Sequence, residues 1–172
     1  MCTGRSYLKD AYQAIFENDF NKAIEAFKKA ISYEPENASY YFKLSITYSR
    51  NGEVSEALVA AKKANELQPD FQIYRYHLQI LQSKNLVLKA ADEMKKNNLT
   101  SEVEELLIQA KNLDPLNIEA YLLLGIYHGE NKSLNLALKE FNLVLNLQPL
   151  NQQAKVLKDY YIKNNEEGDK NE

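Results

Sequence analysis

Apolar side chains recur along this chain at intervals of three and four, the signature of amphipathic helix. In the stretch NKAIEAFKKAISYEP, Asn21 to Pro35, the small residues Ala23, Ala26 and Ala30 share one face with Phe27, and the pattern stops at the proline. No apolar run approaches the roughly 20 residues of a membrane span. Breakers are scarce, with 5 Gly and 4 Pro in 172 residues. Long helices are therefore expected, and a β-rich fold is not.

The pattern also repeats. One interval separates Pro35 from Pro69, and the same interval separates Pro115 from Pro149. The interval from Pro69 to Pro115 is longer by the length of the segment 72–83. In the same phase Ala23 maps to Ala57, Ala30 to Ala64, and, across the gap, Phe27 to Phe141 and Ala23 to Ala137. The period, roughly 34 residues, marks stacked helical hairpins. Small residues at Ala11, Ser45, Ala91 and Gly125 would let the two helices of a hairpin approach closely, with Phe27 and Phe141 filling the space between hairpins. Asn18, Asn51, Asn98 and Asn131 fall at the expected hairpin turns. Each proline ends a second helix, and Asn37, Asp70, Asn117 and Asn151 follow as expected N-caps.

These residues resemble the tetratricopeptide repeat, a helix-turn-helix of the same period. Residues 38–71 carry the family pattern as Tyr41, Leu44-Ser45, Tyr48, Ala57, Ala61, Ala64 and Pro69. Residues 118–151 carry it as Tyr121, Leu124-Gly125, His128, Ala137, Phe141, Val144 and Pro149. Residues 4–37 give Tyr7, Asp10-Ala11, Ala14, Ala23, Phe27, Ala30 and Pro35, and residues 84–117 give the weakest version, Val87, Ala90-Ala91, Met94, Val103, Leu107, Ala110 and Pro115. The departures are the missing Trp, Asp10 in place of Leu and the inserted segment. The resemblance implies an all-α, right-handed superhelical solenoid of about four hairpins in a single domain, 1–163. Residues 152–163 are expected to form a capping helix and 164–172 a disordered charged tail. The insertion, 72–83, has no Gly or Pro. Tyr74, Leu78, Leu81 and Leu88 keep a helical stripe through it. Either one helix runs from about 71 to 96, adding about 18 Å to a normal repeat, or a break near Ser83–Asn85 makes an additional helix. The unbroken stripe favours the first.

In such a stack the first helix of each hairpin lines the concave side. By phase that places Arg5, Lys9, Tyr12 and Phe16 there, then Phe42, Lys43, Ile46 and Arg50, then Leu122, Leu123 and Ile126. Tyr76 and His77 join them if the insertion continues the stack. The first half of this groove is aromatic with a basic rim. It suits a protein or peptide partner with apolar anchors and some acidic character. Some family members grip the carboxy-terminal carboxylate of chaperone tails. At the positions matching that clamp's asparagines this chain has Tyr12 and, for the second, Phe42 or Lys43. Lys9 and Arg75 alone do not make the clamp, so that specialised function is not expected.

Composition narrows the rest. The formal net charge is -3, which gives no field for nucleic acid or acidic membranes. His77 and His128 are the only histidines and lie far apart, and Cys2 is the only cysteine. No Cys–His pair, metal-spaced cluster or phosphate-cradling glycine loop is present, so neither an enzyme nor a cofactor is expected. His128 occupies a core position of its repeat. The expected role is a scaffold or adaptor, with self-association through residues 72–96 as the alternative. The cytoplasm is the expected compartment. A lipoprotein anchored at Cys2 and acting as an assembly factor is the other reading, since a processed lipoprotein begins at a lipidated Cys.

Overall fold

The structure, a computed structural model, describes residues 4–168, with side chains to residue 165. Nine helices and no strand occur among the described residues. They are α1 (Gly4–Phe16), α2 (Phe20–Tyr33), α3 (Ala38–Arg50), α4 (Val54–Leu67), α5 (Gln72–Lys95), α6 (Ser101–Leu113), α7 (Ile118–Glu130), α8 (Leu134–Leu147) and α9 (Gln152–Gly168). The fold is all-α, a solenoid of helical hairpins. α1/α2, α3/α4, the second half of α5 with α6, and α7/α8 are the four hairpins. The bend at each proline separates one hairpin from the next.

The packing follows from residue size. Ala11, Ser45 and Gly125 are buried where first and second helices meet, opposite the fully buried Ala23, Ala57 and Ala137. A Cβ on Gly125 would lie 2.4 Å from Cε1 of Phe141, so only the missing side chain admits that ring. In the third hairpin Ala90 is the fully buried small residue and Ala91 is half-buried, a shift of one position from the expected phase.

The turns also differ from expectation in detail. The left-handed residues that close the four hairpins are Asn18, Gly52, Asn97 and Lys132, with φ of 59°, 85°, 58° and 57°. Asn51, Asn98 and Asn131 each stand one residue away and are not left-handed. They serve as hydrogen-bonding partners, as when Asn98 Nδ2 donates to Glu93 Oε2 at 2.7 Å. Asn117 and Asn151 cap their helices, accepting from the backbone N–H of Ala120 and Ala154. Asn37 makes no such bond, and its amide donates to Glu34 Oε2. Asp70 stands one residue too early to cap α5, and Phe71 directly precedes that helix. Asp19 caps α2 through Lys22 N–H at 2.9 Å.

α5 is unbroken through the insertion. The chain nonetheless divides into two compact units, residues 1–82 and 83–172, where one domain was expected. The division falls inside α5, and the side chains show why. A first helix does two jobs: it stacks on the preceding hairpin and packs against its own second helix. In α5 these jobs are separated. Tyr74 and Leu81, one repeat beyond Tyr40 and Thr47, are buried in the core of unit 1 with Ala38, Ala64, Ala57 and Ala61. Val87 and Ala90 are buried in unit 2 against Val103, Leu107 and Ala110. The inserted segment is not a whole number of turns: it carries a helix about 120° past three full ones.

Unit 2 adds polar links. Ser83 Oγ donates to the Ala110 carbonyl at 2.8 Å and accepts from Asn117 Nδ2 at 2.8 Å. Lys111 and Glu140, 2.5 Å apart and largely buried, join α6 to α8, with the ammonium 4.5 Å from the Tyr121 ring centroid. α9 runs to Gly168, past the expected end of the cap at 163 and into the segment expected to be disordered. Residues 169–172 lie outside the described residues, as does Cys2. Tyr161 pins α9 by stacking on Phe141 and donating to Glu130 Oε1 at 2.7 Å. Burial and that acceptor together push the Tyr161 phenol well above the ordinary value.

Candidate interaction surface

A partner can use only what hairpin packing leaves over. In unit 1 the first helices, α1, α3 and residues 72–82 of α5, turn one side away from the second helices. On α1 that side carries Arg5, Lys9, Tyr12 and Phe16, all exposed, while Ala11 and Ala14 are buried on the other. Phe16 is 84% exposed. Tyr12 is about half exposed and rests edge-on against Phe27, with ring centroids 6.3 Å apart. On α3 Ile46 is half-buried. On α5 Tyr76 is 56% exposed, and Ile73 and Ile80 stand exposed one turn to either side.

Three of the expected groove residues have local partners that limit their availability. Phe42 packs against Tyr74 and edge-on against His77, at centroid distances of 4.9 and 5.1 Å. Arg50 lies over the Phe20 ring at 5.6 Å. Lys43 is half-buried and donates to the Ser39 hydroxyl. Burial holds its ammonium below the ordinary lysine value, and no carboxylate is paired with it among the described residues. α3 contains no acidic residue, α1 has only Asp10, and α5 has none before Asp92. The first-helix side of unit 1 is thus apolar and basic.

Unit 2 differs from expectation. Leu122 is only 5% exposed and fills the core with Phe141, Val144 and Tyr161, and Ile126 and Leu123 are partly buried against neighbouring core residues. Leu122 is therefore unavailable to a partner, because its helix has α9 beside it. The exposed apolar residues of the same phase lie one repeat further on, at Val156 and Tyr160 of α9. The repeat itself was the signal for them, as it was for Ile80, which stands one repeat beyond Ile46.

Unit 1 also has an open depression of about 570 Å³ between α3 and α4. Tyr41, Leu44, Tyr48, Val59 and Ala60 give it an apolar lining, and Glu56, Lys62, Lys63 and Glu66 line it as well. At the matching phase of the fourth hairpin, in unit 2, Tyr121 stands for Tyr41 and Glu140 for Ala60. There Glu140 pairs with Lys111, whose ammonium stands over the Tyr121 ring.

Ser45 Oγ and His77 Nε2 are 2.6 Å apart, but Ser45 is fully buried and cannot meet a substrate. His128 is buried 3.8 Å from Glu104 Oε1, in the core position expected for it. No group of three or more His, Cys, Asp or Glu that would hold a metal occurs among the described residues. None of their helices is long and apolar enough to cross a membrane.

A TPR repeat family model matches residues 17–52, and a tetratricopeptide repeat model matches residues 38–71. No curated protein matches the chain in sequence. Among solved structures, a MamA protein shares 20% identity over 93% of this chain and 86% of its own, with a TM-score of 0.50. MamA from Desulfovibrio magneticus RS-1 shares 15% over 95% and 85%, with a TM-score of 0.57. YrrB, described as a TPR protein with an unusual peptide-binding site, shares 17% over 91% and 74%, with a TM-score of 0.54. At these identities the likeness is one of fold. The second match coincides with the α3/α4 hairpin and the first spans α2 and α3, so residues 17–71 carry the tetratricopeptide repeat, and the whole chain shares its fold with other repeat proteins.

Proposed function

We propose that the chain is a non-catalytic scaffold or adaptor that holds a protein or peptide partner on the first-helix side of unit 1. One observation carries this reading. Tyr12, Phe16, Tyr76 and Ile80 are exposed on α1 and on the 72–82 part of α5, where Arg5, Lys9 and Arg75 are the cations and Asp10 is the one acid. Exposed rings supply anchors, and Arg5, Lys9 and Lys43 supply charge-assisted hydrogen bonds. The partner that fits is a helix or extended segment with apolar anchors and carboxylates. The peptide-binding site attributed to YrrB supports a role of this kind. A single peptide held this way has a Kd on the order of micromolar.

The test compares wild type with a Tyr12→Ala, Tyr76→Ala double variant in affinity capture from native lysate, after circular dichroism shows that the variant is folded. Tyr76 is exposed and Tyr12 meets the core only by its edge contact with Phe27, whereas Phe42→Ala would disturb both Tyr74 and His77. A partner retained by wild type and lost by the variant supports the reading. Equal capture by both rejects it. The second reading, self-association, draws on the exposed Ile73, Tyr76, Ile80 and Leu88 of α5. Light scattering that shows a monomer at high concentration removes it.

A further inference from the structure

His77 is the one titratable imidazole wedged between first helices in unit 1. It projects from α5 toward α3, where its Nε2 meets Ser45 Oγ at 2.6 Å and its ring meets Phe42 edge-on. Ser45 is fully buried, so its hydroxyl has no water to turn to. Neutral imidazole can accept the Ser45 proton at Nε2. Imidazolium donates from both nitrogens and cannot accept.

The charges around the ring decide what a proton would meet. α3 contributes Lys43 and Arg50, both cations, and Tyr40, whose hydroxyl donates to Glu34 Oε1. α5 contributes Arg75 and the phenols Tyr74 and Tyr76. Its first acid, Asp92, lies about four turns on. α4 packs against α5 through Ala57, Ala61 and Ala64. All four of its charged residues, Glu56, Lys62, Lys63 and Glu66, line the depression shared with Tyr41, Leu44 and Tyr48. A second cation beside Lys43 would thus be buried among rings with no carboxylate to pair with.

We propose that the α3–α5 contact of unit 1 is a proton-sensitive joint, closed while His77 is neutral and loosened when His77 takes a proton. Burial holds the imidazole below its ordinary value, in agreement with the geometry. The sign follows. The unfolded chain binds a proton near pH 6.5, and the folded chain only at lower pH. Stability is fully present above the unfolded value and is lost as pH falls from there through the folded one. Phe42 and Tyr74 pack at the same joint, so its loosening moves the edge of the first-helix surface. The inference stands on the joint alone and does not require the proposed partner.

The full chain has two histidines, so NMR resolves two imidazole titrations. The His77 ring is assigned from its contact with Phe42 in the wild type, which keeps the test valid even if His77→Gln fails to fold. The expected result is a His77 midpoint below that of a histidine in an unstructured peptide. Phe42 and Tyr74 ring signals should shift at that same midpoint. A midpoint at or above the peptide value, or unmoved Phe42 and Tyr74 signals, overturns the proposal. In urea denaturation, the fall of the midpoint between neutral and mildly acidic buffer should be smaller in His77→Gln than in wild type. An equal fall overturns it too.

Discussion

Two glycines hold rings in place. A Cβ on Gly125 meets Phe141, and a Cβ on Gly129 would stand 2.4 Å from Tyr161 Cε1. Both rings are held by packing, so relief is costly. Gly125→Ala is expected to cost about 1–3 kcal/mol in urea denaturation. Gly129→Ala should instead release α9, read as faster proteolysis after residue 151. Glu140→Ala leaves the Lys111 ammonium buried and alone, and should cost about 3–5 kcal/mol. Lys111→Met together with Glu140→Leu should recover most of that loss, because the site then packs as an apolar one. Lys132 is the one left-handed residue in the four turns that is neither Gly nor Asn. Lys132→Gly should therefore stabilise by about 1 kcal/mol, measured by the same denaturation. At this scale the sequence was only partly legible. Ala11, Phe27, Gly125 and Phe141 could be placed by phase because size alone fixes them. Turn geometry could not, since Asn51 and Gly52 are neighbours and either one tolerates a left-handed backbone. Nor could the caps: Asn37, Asn117 and Asn151 stand at the same phase, and only the last two accept from their helices.

The prolines mark the ends of α2, α4, α6 and α8, and the helical period gives α1 to α4 and α6 to α8 because each hairpin follows one spacing. α5 is legible as helix in its sequence, since no Gly or Pro interrupts it. Its division of labour is not, because Tyr74, Leu81, Val87 and Ala90 form no single stripe that points to two cores. Hydrogen exchange can separate the two halves of this one helix. Leu81→Ala should lower protection in α3 and α4, and Leu107→Ala should lower it in α6 and α7. Each should cost about 2–5 kcal/mol, since both side chains are fully buried. The end of α9 is also illegible, because polar composition after Asn164 predicts loss of structure. Asn164 to Gly168 instead continue a helix already anchored at Ala154 and Tyr161.

Across the molecule, the surface proposed for a partner was half legible. Tyr12, Phe16 and Tyr76 stand exposed where the repeat put them. Leu122 does not, because α9 lies beside its helix, and coverage depends on neighbours that a repeat count alone does not supply. The insertion within α5 bears on how such an array can change length. Residues 72–83 are a whole number of neither turns nor repeats, yet cutting them out would return the chain to a uniform spacing of prolines. Residues 84–95 would then inherit the vacated stations. Leu86 would replace Tyr74, an exchange the core tolerates, but Glu93 would replace Leu81 and bring a carboxylate among Ala57, Ala61 and Leu44. Lys89 would take the place of His77 against Ser45. The segment looks like a spacer by arithmetic, but by chemistry it is the seat of unit 1, so a shortened chain with perfect spacing would fail where the irregular one folds.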